Sequence, residues 1–183
     1  MKLKNGFFST LFLLFLFSNA LPAQTEGPPS DEKEFEKQYE ERIKKDRLNN
    51  VYIPKNLDDA MLQLDKIISP ESQVKIKAIP EDSVCLKLHN RLGQWIILNW
   101  GFYGGSRLSH YLRSAGVTFP DDMADLLILA YHRRLNGKPI SIKELAPPFR
   151  EKRKKERQEE IKQGKVIQEE TRKKDASGQK GNR

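Results

Sequence analysis

The sequence predicts an all-α protein, a small bundle of about five helices flanked by charged helical or disordered ends. Between residues 51 and 145, large apolar residues recur at intervals of three and four, the period of a helix with one buried face. These runs are bounded by capping residues, prolines and glycines. Alternation of apolar and polar residues occurs only at 74–79 and 140–143, so we expect no substantial sheet.

Residues 1–23 are expected to be a signal peptide. Lys2 and Lys4 precede an apolar run of 11 residues, 7–17, which is too short to cross about 30 Å of hydrocarbon as a helix. Small residues follow, and cleavage after Ala23, or alternatively after Ala20, would release an exported protein. We therefore expect a periplasmic or secreted protein with no transmembrane helix after signal cleavage.

Both ends of the remaining chain are strongly charged. Residues 24–50 predict a linker and a charged helix with a thin apolar stripe, which either docks weakly or stands free; the stripe is Phe35, Tyr39, Arg42 and Ile43. Residues 146–183 hold 13 basic and 7 acidic side chains. They predict a basic charged helix to about residue 163 and a disordered tail beyond it. Most of the net charge of +8 therefore lies in the tail.

The helical domain is predicted over residues 51–145. Its first helix follows the cap Asn56, and a second, short helix starts at Ser69-Pro70. The third starts after Pro80 and is predicted to end near Trp100-Gly101. Its expected core face carries residues at helical spacing, namely Cys85, Leu88, Leu92 and Trp95.

The later helices have equally clear boundaries. The fourth is predicted to begin at Ser106 and to end at Gly116, and the fifth begins at Pro120 and ends at Asn136-Gly137. A capping box starting at Ser141 opens one more helix, which we expect Pro147-Pro148 to cut.

Residues 99–108, NWGFYGGSRL, join the third and fourth helices and are the richest candidate site. Glycines allow a sharp reversal there. Arg107 falls in a first helical turn, where the helix dipole disfavours a cation, so we expect its partner to be an internal carboxylate, for which Asp121 and Asp122 are candidates, or a bound anion. Trp100, Phe102 and Tyr103 cannot all point inward from so short a bend, so one or two should be exposed.

The order of several short motifs resembles a family of small bacterial domains of unknown function. The motifs are Trp95, Asn99-Trp100-Gly101, Gly105-Ser106-Arg107-Leu108, Pro120-Asp121-Asp122-Met123 and Tyr131-His132. The resemblance covers about residues 57–140. It implies an all-helical domain and supplies no reaction, substrate or cofactor.

Catalytic and metal chemistry have weaker support in the sequence. Asp121 and Asp122 are adjacent and point about 100° apart on a helix, so they favour helix capping over proton sharing. Cys85 and His89 have i,i+4 spacing but lie in no zinc motif, and we expect a buried, inert thiol. Ser106 and His110 share that spacing without a nucleophile elbow. No catalytic residue, metal or cofactor is expected.

Three functional hypotheses follow. The first is a non-enzymatic module that binds a protein or an envelope component through the bend. The second is a small enzyme or a sensor of an anionic ligand, centred on Arg107 and residues 104–106. The third is polyanion binding through the tail, although nucleic acid is not expected because acids interleave with the bases. The candidate binding residues are Trp100, Phe102, Tyr103, Gly104, Gly105, Ser106, Arg107, Asp121, Asp122 and His132.

Overall fold

A computed structural model describes residues 31–178 of the chain. The predicted signal peptide lies outside the described residues. Within them the protein is mostly helical, which confirms the all-α class, and it has more helices than the five or so expected. No helix of residues 31–178 is both long enough and apolar enough to span a membrane.

Helix α1, Glu32–Arg42, is capped by the Asp31 side chain, which accepts from the Glu34 N–H (2.8 Å). It contains no buried residue. Because α1 contributes nothing to the core, its position depends on side chains that reach other elements.

A short antiparallel hairpin follows, β1 (Arg47–Leu48) and β2 (Val51–Tyr52). Asn49 and Asn50 turn the chain with φ of +47° and +64°, the left-handed pair that two-residue hairpins require. This small hairpin is consistent with the expectation of no substantial sheet, and its two-residue strands are too short to show alternation in the sequence.

Helix α2, Leu57–Ile67, begins after the predicted cap Asn56, whose side chain accepts from the Asp59 N–H. Helix α3, Pro70–Lys77, begins after Ser69 with proline in its first turn. Both predicted starts are confirmed. Such starts are predictable because the capping hydrogen bond joins residues only three positions apart.

The third predicted helix, residues 81–99, consists of four consecutive helical segments. In order they are a 3-10 turn at Glu81–Ser83, α4 at Val84–Leu88, a π segment at His89–Gly93 and α5 at Gln94–Asn99. The predicted start and end of this helix are therefore confirmed, while the π segment within it is a feature that the spacing of apolar residues does not predict.

The π segment rotates the buried face of this region. A π turn holds more residues than an α turn, so the residues after it face a different direction. Trp95, predicted for the core, is 37% exposed, whereas Trp100 is 1% exposed and Ile96 and Ile97 are buried. The placement of Trp95 in the core is thus corrected.

Helix α6, Arg107–Ser114, and helix α7, Pro120–Leu135, complete the bundle. Helix α7 is central, since it packs against the α2, α3, α6 and α8 helices and the whole α4–α5 region. Its buried residues are Asp122, Met123, Ala124, Leu126, Leu127, Ile128, Ala130, Tyr131 and His132.

Helix α8, Ile142–Gly178, continues through Pro147 and Pro148, so the predicted break there is wrong. The prolines deprive the carbonyls of Lys143 and Glu144 of their helical partners, but both of those residues are exposed, where water can hydrate them. The helix also extends beyond residue 163, where disorder was expected; residues 179–183 lie outside the description.

Candidate functional site

The bend between α5 and α6 depends on two glycines in the left-handed region. Gly101 has φ of +66° and Gly105 has φ of +84°, conformations that side chains with a Cβ resist. The Phe102 N–H donates to the Ile97 carbonyl (3.0 Å) and closes the end of α5. The predicted corner is therefore present.

The three aromatics of the bend divide between core and surface. Phe102 is fully buried beside the almost fully buried Trp100, and Tyr103 is 63% exposed. The Trp95 and Trp100 rings meet edge to face, with centroids 5.9 Å apart. Direct binding roles for Trp100 and Phe102 are thus corrected: they anchor the bend in the core, and of these three aromatics Tyr103 remains accessible.

Ser106 caps α6. Its hydroxyl accepts from the Ser109 N–H (3.3 Å), and its own N–H donates to the Ser109 hydroxyl (2.8 Å). Both serines are buried. Because this capping box already engages the polar groups of Ser106, they are not directed at a ligand.

Arg107 pairs with the end of the hairpin and not with α7. Its Nε donates to the Ile53 carbonyl (2.7 Å), and its guanidinium carbon lies 5.0 Å from the centroid of the Tyr52 ring. The candidate pairing with Asp121 or Asp122 is therefore not found, since those carboxylates contact other partners.

The carboxylate that acts on Arg107 is Asp59 of α2. Burial acts to raise the pKa of Asp59, but hydrogen bonds from the Lys55 N–H and the Tyr52 hydroxyl, and the charge of Arg107, hold that pKa below its usual value. The bond to Asp59 in turn raises the pKa of Tyr52. This network explains how a cation is tolerated in the first turn of α6.

Two side chains of α1 lie on the bend. Arg42 Nε donates to the Gly105 carbonyl (3.0 Å). The Tyr39 hydroxyl lies 3.0 Å from His110 Nδ1, and the two rings are 6.1 Å apart, centroid to centroid. Helix α1 is therefore attached to the bend by one aromatic and one guanidinium group, three residues apart.

The bend accommodates these two side chains because three of its residues are glycines, which have no Cβ atom. A Cβ at Gly105 would overlap the Tyr39 ring, and a Cβ at Gly104 would lie 3.2 Å from the Arg42 guanidinium carbon. A Cβ at Gly101 would also lie 3.2 Å from Arg42 Nη2. We call the surface formed by Gly101, Gly104, Gly105 and His110 the α1 seat.

Asp122 lies away from the bend and joins α7 to α8. It is 2% exposed, accepts from Arg153 Nε, and lies 3.5 Å from Lys152 Nζ. The hydrogen bond to Asp122 raises the pKa of Arg153, whose guanidinium carbon also lies 4.1 Å from the centroid of the Phe119 ring. Asp122 thus fastens the long C-terminal helix.

Asp121 of α7 lies close to His89, the first residue of the π segment. His89 Nδ1 lies 2.8 Å from Asp125 Oδ1, and its Nε2 lies 3.5 Å from Asp121 Oδ1. The Cys85 thiol donates to the Asp125 carbonyl (3.4 Å), and burial, with the nearby Asp125 charge, raises the pKa of Cys85 to about 12. A thiol so rarely ionised is a poor nucleophile.

His132 is 3% exposed and its Nε2 lies 2.8 Å from the Ile79 carbonyl. The contacts of Arg107, His110 and His132 therefore run to three different elements, and these residues do not form one site. Within residues 31–164, whose side chains are described, no group of three or more histidine, cysteine, aspartate or glutamate side chains is placed to hold a metal ion.

The structure thus defines a small helical domain with an added N-terminal helix on its bend. Residues 53–135 match a family model described as a domain of unknown function, DUF6794. The match supports the coarse resemblance noted from the sequence. It begins after β2, so α1 and the hairpin lie outside the matched region. No curated protein and no solved structure matches the chain.

Sequence reasoning missed the α1 seat as a unit. The helical spacing of Tyr39 and Arg42 and the glycine bend are both visible in the sequence, but no local pattern connects them. The sequence likewise gives no indication that His110 contacts Tyr39. Two features of the sequence could have indicated the seat. The apolar stripe of residues 35–43 is too thin to stabilise a helix alone, and the glycines of the bend leave its backbone open to a neighbouring side chain.

Proposed function

We propose that the protein is a non-enzymatic, exported binding module whose recognition surface is the α1 seat together with the exposed Tyr103. The observation that carries this proposal is the occupation of the seat by Tyr39 and Arg42 of α1. A surface that already holds an aromatic ring and a guanidinium group from a helix has the chemistry to recognise the same pair in a partner.

The proposed partner is a protein helix that carries an aromatic residue and an arginine three positions apart. Residues at i and i+3 lie on one face of a helix, as Tyr39 and Arg42 do. The aromatic ring would pack on Gly105, and the guanidinium would donate to its carbonyl. Because α1 lies outside the matched region and buries no residue, we propose that it occupies the seat exchangeably.

The two alternative functions have less support. An anionic-ligand site at residues 104–107 would need the groups of Ser106 and Arg107 that the capping box and the Ile53 carbonyl engage. Polyanion binding through the tail would need a surface with predominantly positive charge, whereas residues 150–164 interleave basic and acidic side chains.

A peptide-binding experiment tests the proposal. The full chain carrying Tyr39→Ala and Arg42→Ala, with its seat open, is titrated with a fluorescent peptide of residues 31–45. We expect it to bind the peptide at least fivefold more tightly than the unmodified chain, whose own α1 competes. A peptide with the same two substitutions is the matched control and should bind weakly.

Two outcomes would sink the proposal: no binding by the open variant, or equal binding of the native and the substituted peptide. Export is tested separately by mass spectrometry of the protein from the envelope fraction, which should begin at Gln24 or at Leu21. An intact N-terminus at Met1 would count against export.

A further inference from the structure

A second concave surface lies at the other end of α6, away from the α1 seat. It is a cavity of about 370 Å³ between the last turn of α6 and the first turns of α8, a volume within the usual range for sites that hold small molecules. The Tyr111 ring forms one wall, and the apolar floor consists of Ala115, Ile142 and Ala146.

The charged groups that line this cavity are both cationic. Lys143 and Arg150 lie on its rim and no acidic side chain lines it. They are seven residues apart on α8, about 10.5 Å along the axis, so their long side chains can converge on one group. Neither has an acidic partner among the described side chains.

The acids nearest in sequence do not neutralise this rim. Glu144 and Glu151 each follow one of the cations by one residue and therefore point about 100° away around the helix. Asp58 acts electrostatically on Tyr111 but does not line the cavity. The cavity therefore combines an apolar floor with a rim on which the charged side chains are both cationic.

We propose that this cavity binds a small organic monoanion with an apolar body. The carboxylate lies between Lys143 and Arg150, and the hydrocarbon covers Ala115, Ile142 and Ala146. The apolar floor excludes water from the hydrocarbon of the ligand. The two cations select a ligand that carries a negative charge. This site is independent of the proposed function, since it shares no residue with the α1 seat.

Calorimetric titration of the full chain with octanoate tests this site. We expect saturable binding to the unmodified protein, and at least fivefold weaker binding after Lys143→Gln and Arg150→Gln together. Lys155→Gln is the matched control, because Lys155 is an exposed cation of α8 that does not line the cavity; it should bind as the unmodified chain does. Circular dichroism verifies that each variant is folded.

The chemistry of the ligand is tested with 1-octanol, which has the same chain without the charge and should bind at least fivefold more weakly than octanoate. The Tyr39→Ala, Arg42→Ala variant should bind octanoate normally. Equal affinity for octanoate and 1-octanol, undiminished binding by the double glutamine variant, or no octanoate binding by the unmodified chain would each overturn the proposal.

Discussion

The phenolic oxygen of Tyr39 lies 3.0 Å from Nδ1 of His110, although 71 positions separate the two residues. This contact attaches a helix with no buried residue to the helix that follows the glycine bend. Since α1 takes no part in the core, its docking and the folding of the domain are separable. The predictions below use that separation and the contacts that hold the rest of the domain.

The two tryptophans should differ sharply in their contribution to stability. Trp100→Ala should lower the free energy of unfolding by about 3–5 kcal/mol, as expected for truncation of a large buried aromatic. Trp95→Ala should cost about 1–2 kcal/mol, because Trp95 is partly exposed and loses mainly its contact with Trp100. Urea denaturation of the two variants measures the difference; similar losses would refute the rotation of the helix face by the π segment.

The Asp122–Arg153 pair should hold α8 against α7. Arg153→Ala leaves a buried carboxylate with only Lys152 nearby, and should destabilise the protein by about 3 kcal/mol. Adding Asp122→Asn removes that buried charge. The double variant should therefore lose clearly less stability than the sum of the losses in the two single variants. A double-mutant cycle measures this coupling. Additive losses would show that the two side chains do not interact.

Glu81 should contribute an acid-sensitive part of the stability. Hydrogen bonds from Lys138 and Arg133 lower the pKa of Glu81 from its ordinary value of 4.5. Its contribution is therefore present above about pH 4.5 and is lost as the pH falls through the lowered pKa. The pair is partly exposed, so the contribution should be about 1 kcal/mol or less.

The measurement is the urea midpoint at pH 7 and at pH 3. Glu81→Gln should lower the midpoint more at pH 7 than at pH 3. Glu144→Gln serves as control, because Glu144 is exposed and has no cationic partner among the described side chains. An equal effect of Glu81→Gln at both pH values would contradict the ion-pair account.

Cys85 should resist thiol reagents in the folded protein. Burial raises the pKa of Cys85 to about 12, so almost no thiolate is present at pH 8. We expect slow labelling by a disulfide reagent in buffer and rapid, complete labelling in denaturant. Fast stoichiometric labelling of the folded chain would show that the thiol is activated.

Helix boundaries were predictable because their signals are local. Asn56, Ser69 and Ser106 accept from the N–H three residues ahead, and such bonds form wherever the residue type permits. The π segment was not predictable in this way. It coincides with contacts across the chain, such as the pairing of His89 with Asp125, that no pattern within residues 84–99 encodes.

The candidate site was predictable only in part, for the same reason. The bend and its glycines follow from composition. The partner of Arg107 is 54 positions away, and that of Arg42 is 63 positions away. A cation at the start of α6 correctly indicated a partner, but the sequence left open which carbonyl, ring or carboxylate would supply it.

The central claim is that the glycine bend holds α1 through Tyr39 and Arg42. Amide hydrogen exchange over residues 32–42 tests it most directly, comparing the full chain with the Tyr39→Ala, Arg42→Ala variant. We expect exchange in α1 to be at least tenfold slower in the unmodified chain, with no change across α7. Equally fast exchange of α1 in both proteins would mean that the helix stands free and that the seat holds nothing.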